Sequence, residues 1–134
     1  MAEFLLDTDT ASRLIRADRT TVAAMRRSGA ANIAVSAVTQ AELLYGARLR
    51  SDAPNIMTAV RAFLARVTVE PWDTDAAEQH ALIRAKAKAQ GRSAGVFDTM
   101  IAAHARALGV TLVTSDEAIG SLGVDGLRVQ DWTL

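Results

Sequence analysis

Four acidic residues of this sequence stand where a sheet would bring their carboxylates together. Asp7 and Asp116 directly follow short apolar segments that are typical of buried strands, and Glu42 and Asp98 are expected in the first turn of helices that begin near the same edge. That edge is formed by the carboxyl ends of parallel strands, which is where open α/β sheets bind their ligands. The pattern therefore predicts a cluster of carboxylates in a cleft.

The negative charges of such a cluster repel one another, and this repulsion has to be offset. Two like charges about 4 Å apart repel by about 1 kcal/mol even in bulk water. The carboxylates can share protons, which raises some of their pKa values, or they can hold a divalent cation. Cysteine is absent, so a metal could bind only to oxygen or to histidine. With oxygen ligands alone, the expected cation is Mg²⁺ or Mn²⁺.

Each acid also has a purely structural interpretation. Glu42 could close a capping box on Thr39, Asp98 could stabilise the start of its helix, and Asp116 could be a turn residue. Asp7 is harder to explain in this way, because an acid directly after an apolar strand needs a partner even when it is only half buried.

Other chemistries have weaker support. His104 lies on the apolar face of its predicted helix, which favours a core or interface role, and Asp9 and Asp75 are interpreted as a turn residue and a helix N-cap. The sequence has no nucleophile elbow, Walker loop or glycine-rich dinucleotide fingerprint. Its aromatic residues are too few for a base-stacking platform of the OB or RRM kind.

Composition and charge bound the class of protein. The 134 residues are half apolar, which predicts a single helix-rich globular domain over residues 1–134. Basic and acidic residues number 15 each, so the overall charge does not attract nucleic acid, and only a local basic cluster could do so. That cluster, which could also be a solvated helix face, consists of Arg84, Lys86, Lys88 and Arg92. No signal peptide or run of about 18 apolar residues is found, so a cytoplasmic protein without membrane contact is expected.

Strand-like and helical segments alternate along the chain. Strands are predicted at residues 3–6, 33–35, 67–69 and 110–113, with a weaker one in the apolar pattern at 122–129. Helices are predicted between them, including one that starts at the capping-box pattern of residues 39–42 and one that runs from about residue 97 to 108. The alternation predicts an α/β fold with a parallel sheet, right-handed crossovers and helices on both faces.

Three segments carry a resemblance to a known family. They are FLLDT at residues 4–8, VTQAELLYGA at 38–47 and FDTMIAAHARALGVTLVTSD at 97–116. In this order, and over most of the chain, they resemble the PIN-domain ribonucleases, and within them the VapC toxins of type II toxin–antitoxin systems.

The resemblance implies a single PIN-like domain that acts as a metal-dependent endoribonuclease. By resemblance, the acids that match the family's site are Asp7, Glu42, Asp98 and Asp116, which would bind Mg²⁺ or Mn²⁺, and Thr8 and Thr114 would be supporting hydroxyls. The implied substrate is structured RNA such as tRNA, contacted by the basic residues Arg84, Lys86, Lys88 and Arg92.

The resemblance also implies partners. These are a second copy of the chain and a VapB-like antitoxin, whose C-terminal segment would pack near residues 39–50 and 52–66, with Leu43, Leu44, Ile56 and Met57 as the apolar contacts. Two departures from the family pattern, Asp9 and Asp116 where asparagine is common, keep or add negative charge. The segment after Asp116 also lacks the phenylalanine that is often found there.

Two other functions share features with this sequence. A receiver-like signalling domain also holds Mg²⁺ at the carboxyl edge of a parallel sheet, but it needs a late lysine, and none follows Lys88. A non-catalytic PIN-like module that binds RNA or protein is the alternative, although such a module would be expected to have lost one of the four acids.

Overall fold

The chain forms one five-stranded parallel sheet, described over residues 2–29 and 31–134 by a computed structural model. The strands are β1 (Phe4–Leu6), β2 (Ile33–Ser36), β3 (Thr68–Glu70), β4 (Thr111–Val113) and β5 (Val129–Gln130). The helices are α1 (Thr8–Ile15), α2 (Arg19–Arg27), α3 (Ala37–Arg48), α4 (Pro54–Arg66), α5 (Thr74–Ala89), α6 (Val96–Leu108) and α7 (Glu117–Gly120).

The strand order is β3-β2-β1-β4-β5, so the chain builds the sheet outward from β1 in both directions. Leu6 pairs with Val35 on one side and with Val113 on the other, which brings the carboxyl ends of β2, β1 and β4 to the same edge. A reversal of strand order of this kind opens a crevice at that edge, where α/β proteins bind ligands.

Helices cover both faces of the sheet, as the sequence predicts. Leu5 and Leu112 point into a core shared with α5 and α6, whereas Leu6 and Val113 point into a second core shared with α1, α2, α3 and α4. Leu5 and Leu6 are both fully buried, and each such leucine contributes about 1.5–3 kcal/mol. The strands therefore lack polar alternation because both faces are covered.

Several helix ends follow their sequence signals. Pro54 occupies the first turn of α4, where its missing N–H is not needed. Gly109 ends α6 in the left-handed conformation, with φ of 70°, which glycine adopts without strain. The apolar face of α6 is buried over Ile101, His104 and Ala105 but not at its last residue, Leu108, and His104 is only 1% exposed. Its Nδ1 lies 2.8 Å from the Ser36 hydroxyl, which makes it a core residue.

Two predicted helix starts are wrong. The α3 helix begins at Ala37, and its N-cap is Ser36, whose hydroxyl accepts a hydrogen bond from the Val38 N–H; Glu42 therefore lies in the second turn rather than the first. The N-cap of α5 is Asp73, which accepts from the Ala76 N–H, and not Asp75. In both cases a capping residue upstream of the expected one begins the helix as soon as the chain leaves its strand or turn.

Two further features bear on the fold class. The last strand covers only residues 129–130, shorter than the predicted 122–129 pattern, because Leu122 packs into the core instead. No helix in the described ranges is long and apolar enough to cross a membrane, the longest being the 16-residue α5.

Candidate active site

Asp7 sits at the centre of the carboxyl edge, directly after β1. It is only 7% exposed, and both of its carboxylate oxygens are engaged. One accepts a hydrogen bond of 2.8 Å from the Thr10 N–H, which makes Asp7 the N-cap of α1, and the other accepts one of 2.6 Å from the Thr114 hydroxyl. Burial raises the pKa of Asp7 above its ordinary value, against the lowering effect of these hydrogen bonds.

Glu42 is hydrogen-bonded to the first residue of α1, at the same edge of the sheet. The Thr8 hydroxyl donates a hydrogen bond of 2.6 Å to its carboxylate, and the buried Thr39 hydroxyl lies 3.2 Å from the same Thr8 oxygen. Thr39 and Glu42 are three residues apart and therefore share one helix face. The spacing that suggested a capping box thus directs both side chains toward α1.

Asp116 is connected to Asp7 through a single hydroxyl. Thr114, which is 4% exposed, donates to Asp7 and accepts a 3.0 Å hydrogen bond from the Asp116 N–H. The Asp116 carboxylate is the N-cap of α7, where it accepts a 2.9 Å bond from the Ala118 N–H. Thr8 and Thr114, expected to support the acids, are therefore each in contact with one of them.

Asp98 lies in the first turn of α6, as the sequence predicts. Partial desolvation, followed by interaction with Asp116 and the charges of Asp7 and Glu42, raises the pKa of Asp98 to about 6. Asp98 keeps part of its surface in solvent, and the three neighbouring carboxylates act on its pKa from the protein side. Asp7, Glu42 and Asp116 are therefore all close enough to Asp98 to raise its pKa.

Nothing basic neutralises this cluster within the described part of the chain. The ion pairs found there are Arg13 with Asp9 and Arg50 with Asp52, and neither includes one of the four acids. The donor set consists of carboxylate and hydroxyl oxygens, which is the chemistry that Mg²⁺ and Mn²⁺ prefer. As the side chains stand, however, no group of three or more His, Asp or Glu in residues 2–29 and 31–134 is arranged to hold a metal ion.

Two of the four acids already accept hydrogen bonds from the protein. Glu42 accepts one from the Thr8 hydroxyl, and Asp116 accepts one from the Ala118 N–H at the start of α7. Both residues are only partly buried, so rotation about their side-chain torsions is enough to redirect an oxygen.

The predicted basic cluster is divided between two sides of α5. Arg84, Lys88 and Arg92 line one groove. Lys86 lies elsewhere: its ammonium group donates a 2.7 Å hydrogen bond to the Gly123 carbonyl. The reason is helical geometry, since residues two apart lie on nearly opposite faces and residues four apart on the same one. Lys86 therefore does not belong with the other three.

A second groove, of about 500 Å³, is lined in part by Thr8 and Glu42. Its apolar lining includes Ile15, Leu43, Ile56 and Val60, and its rim includes Thr8, Glu42, Arg16 and Arg50. The apolar surface is smaller than the sequence suggested, because Leu43 is only 6% exposed and Leu44, Ile56 and Met57 pack partly against the core.

Two residues of this site, Thr39 and Gly95, are not among the site residues predicted from the sequence. Thr39 was interpreted as a helix cap, although its spacing from Glu42 was the available signal. Gly95, the N-cap of α6, lies against the Asp98 carboxylate, and no local pattern marks it.

Comparison with known proteins agrees with this fold. The PIN domain model matches residues 4–124. The tRNA(fMet)-specific endonuclease VapC of Shigella flexneri is 34% identical, with 99% of this chain and 100% of that protein covered. Ribonuclease VapC2 of Haemophilus influenzae is 30% identical, with 98% and 99% covered. Among solved structures, DNA-bound VapBC from Salmonella typhimurium superposes with a TM-score of 0.87 at 30% identity, covering 98% of this chain and 99% of that one.

The chain therefore belongs to the PIN-domain family and, within it, to the VapC group. The resemblance read from the three sequence segments is confirmed, and so is the α/β fold with a parallel sheet.

Proposed function

We propose that this protein is a divalent-cation-dependent endoribonuclease and the toxin of a VapBC-type toxin–antitoxin pair, acting in the cytoplasm on structured RNA such as tRNA. The observation that carries the proposal is the convergence of four acids at one sheet edge, where Asp7, Glu42 and Asp116 all lie close enough to Asp98 to raise its pKa. Its support includes the names of the relatives, which are described as a tRNA-specific endonuclease and a ribonuclease.

In this proposal the cation would be held by Asp7, Glu42, Asp98 and Asp116. When bound, it would supply Lewis-acid chemistry, activating a water and stabilising charge on the leaving oxygen of a phosphodiester.

The chain's own residues orient those ligands. The Thr10 N–H and the Thr114 hydroxyl fix both oxygens of Asp7, and the Thr8 hydroxyl restrains Glu42. Asp98 releases its proton close to neutral pH, because its pKa is raised to about 6. Release of that proton prepares the site for a cation, so cation binding is expected to weaken as the pH falls through that value.

The test is cleavage of total bacterial RNA by the purified chain with Mg²⁺ or Mn²⁺, with EDTA, and with Asp98→Asn. Discrete fragments that require the cation and disappear in Asp98→Asn are expected. Asp75→Asn is the matched control, since Asp75 is an exposed first-turn acid of a different helix. Absence of cleavage by folded protein free of copurified antitoxin would favour the non-catalytic binding module instead.

The antitoxin is proposed to occupy the groove of about 500 Å³ beside Glu42. The groove combines apolar walls with Arg16 and Arg50 at its rim, so an amphipathic segment with acidic residues fits its chemistry. It lies on the α3 and α4 segments expected from the resemblance, and several of the similar solved structures are described as VapBC complexes. Bound there, the antitoxin would lie against Glu42.

A homodimer is proposed on the family resemblance. Exposed apolar side chains at the end of α3, Tyr45 at 65% and Leu49 at 64%, are compatible with a covered surface. Light scattering of the purified chain measures the oligomeric state directly.

A further inference from the structure

A basic groove of about 560 Å³ runs along α5 toward the acidic edge. It lies between the second half of α5, the loop that follows it and the first turn of α6. Three cationic side chains, Arg84, Lys88 and Arg92, contribute to its lining, and no carboxylate does. In a chain whose charges sum to zero, this is a local separation of charge rather than a general basic character.

These cations have no carboxylate partner among the described residues. The ion pairs of that part of the chain involve Arg13 and Arg50 only. Arg92 donates a hydrogen bond to the Ser121 hydroxyl, which fixes its position without neutralising its charge. The groove therefore presents uncompensated positive charge to solvent.

The shape of the groove suits a backbone rather than a bulky group. Between the cations its lining is formed by small residues, including Ala81, Ala85, Gly91 and Ala94, which permit close approach. Its far end is lined by Val96 and Thr99, and Asp98 lies between these two in sequence. A strand of phosphates along the groove would thus reach the acidic edge at α6.

We propose that this groove binds the phosphate backbone of the RNA on one side of the bond to be cleaved, through Arg84, Lys88 and Arg92 and without Lys86. The assignment rests on the proposed ribonuclease function and deepens it. Charged contacts of this kind position a nucleic acid and make its binding depend on salt.

The test measures binding of a fluorescently labelled single-stranded oligouridylate in EDTA, at several salt concentrations, so that binding is separated from cleavage. Arg84→Gln and Lys88→Gln are each expected to weaken binding and to reduce the slope of log affinity against log salt by about 0.7. Lys86→Gln is the matched control on the same helix, because its ammonium group faces Gly123, and it is expected to leave the slope unchanged.

Equal effects of all three substitutions, or no effect of Arg84→Gln and Lys88→Gln, would overturn the assignment. Failure of the ribonuclease proposal gives a different result, namely no cleavage by the unmodified chain with Mg²⁺ or Mn²⁺.

A second inference concerns Gly95, the residue that begins α6. A Cβ built at this position would lie 2.9 Å from Oδ2 of Asp98 and 3.6 Å from its Cγ. That distance is too short for an unstrained contact, so the carboxylate would have to move. The backbone itself does not require glycine, since its φ of −58° and ψ of 140° are open to any residue.

We infer that Gly95 is a positioning residue, whose missing side chain leaves room for the Asp98 carboxylate at the acidic edge. This inference also rests on the proposed function. A structural explanation would be the helix cap, for which glycine is acceptable, serine is better and alanine is poor.

Gly95→Ala and Gly95→Ser separate the two explanations. Both introduce a Cβ, but only serine restores a good cap. We expect both variants to lose Mn²⁺ affinity by about tenfold or more, measured by calorimetric titration, whereas Gly95→Ser keeps the melting temperature of the unmodified chain. Gly120→Ala is the control, because no atom lies within 4 Å of its added Cβ.

Wild-type Mn²⁺ affinity in Gly95→Ser would overturn the inference and assign the glycine to capping alone. Unchanged affinity in both variants would overturn it as well, by showing that the carboxylate tolerates the Cβ. If the unmodified chain binds no Mn²⁺, it is the proposed function that fails.

Discussion

At the scale of single residues, the site is a set of carboxylates positioned by hydroxyls. Thr114 donates to Asp7 and accepts from the Asp116 N–H, so one small side chain restrains two of the acids. The Thr8 hydroxyl donates to Glu42, which lies 34 residues further along the chain, and so restrains that one acid. The orientation of the acids therefore depends on neighbours that a substitution of the acids alone would not reveal.

Replacement of Thr114 by valine keeps the shape and removes the hydroxyl. We expect the free energy of unfolding to fall by about 1–3 kcal/mol, because buried Asp7 loses a hydrogen bond. We also expect RNA cleavage to fall by about 10-fold or more. Urea denaturation and cleavage rates check the two effects. Thr58→Val, at an exposed threonine of α4, is the control and should change neither.

The raised pKa of Asp98 predicts how stability depends on pH. A carboxyl whose pKa is about 6 when folded and 3.8 when unfolded binds its proton more tightly in the folded state. Its stabilising contribution is therefore present below the unfolded value and is lost as the pH rises through about 6. Asparagine does not ionise, so Asp98→Asn does not lose stability as the pH rises.

In EDTA, the melting temperature of Asp98→Asn should exceed that of the unmodified chain above pH 6, and the difference should shrink as the pH falls toward 3.8. Differential scanning calorimetry over that pH range measures it. A difference that does not vary with pH would show that Asp98 does not titrate as described.

At the scale of elements, much of the fold could be predicted from the sequence and the exact helix starts could not. Apolar strands that end in an acid, and Gly109 after α6, are local signals, and the structure follows them. The sequence pattern predicts the start of α3 too late, because Ser36 both ends β2 and caps the helix. No loop therefore marks the boundary between the two elements. The division of the basic residues between two sides of α5 depended on where that helix packs.

The observed cap of α5 gives a test at this scale. Asp73→Ala removes the side chain that accepts from the Ala76 N–H, so we expect the free energy of unfolding to fall by about 1 kcal/mol. Asp75→Ala, two residues later, should cost less because Asp75 acts only through the helix dipole. Equal losses in urea denaturation would contradict the assignment of the cap.

At the scale of the whole molecule, the order of the strands determines where the acidic side chains come together. The strands β2, β1 and β4 end together, so residues as far apart as Asp7 and Asp116 meet although nothing local connects them. The sequence could indicate this convergence through strand ends, but not the partners Thr39 and Gly95, which depend on tertiary packing. The basic groove is lined by the residues on either side of Asp98 in the first turn of α6, and the apolar groove is lined in part by Glu42, on a chain of zero net charge.

Calorimetric titration with Mn²⁺ tests most directly whether these four acids form one cation site. The unmodified chain should bind Mn²⁺ near neutral pH, Asp7→Asn and Asp98→Asn should each lose that binding, and Asp75→Asn should retain it. Binding that is absent from the unmodified chain, or that survives in both Asp7→Asn and Asp98→Asn, would contradict the account.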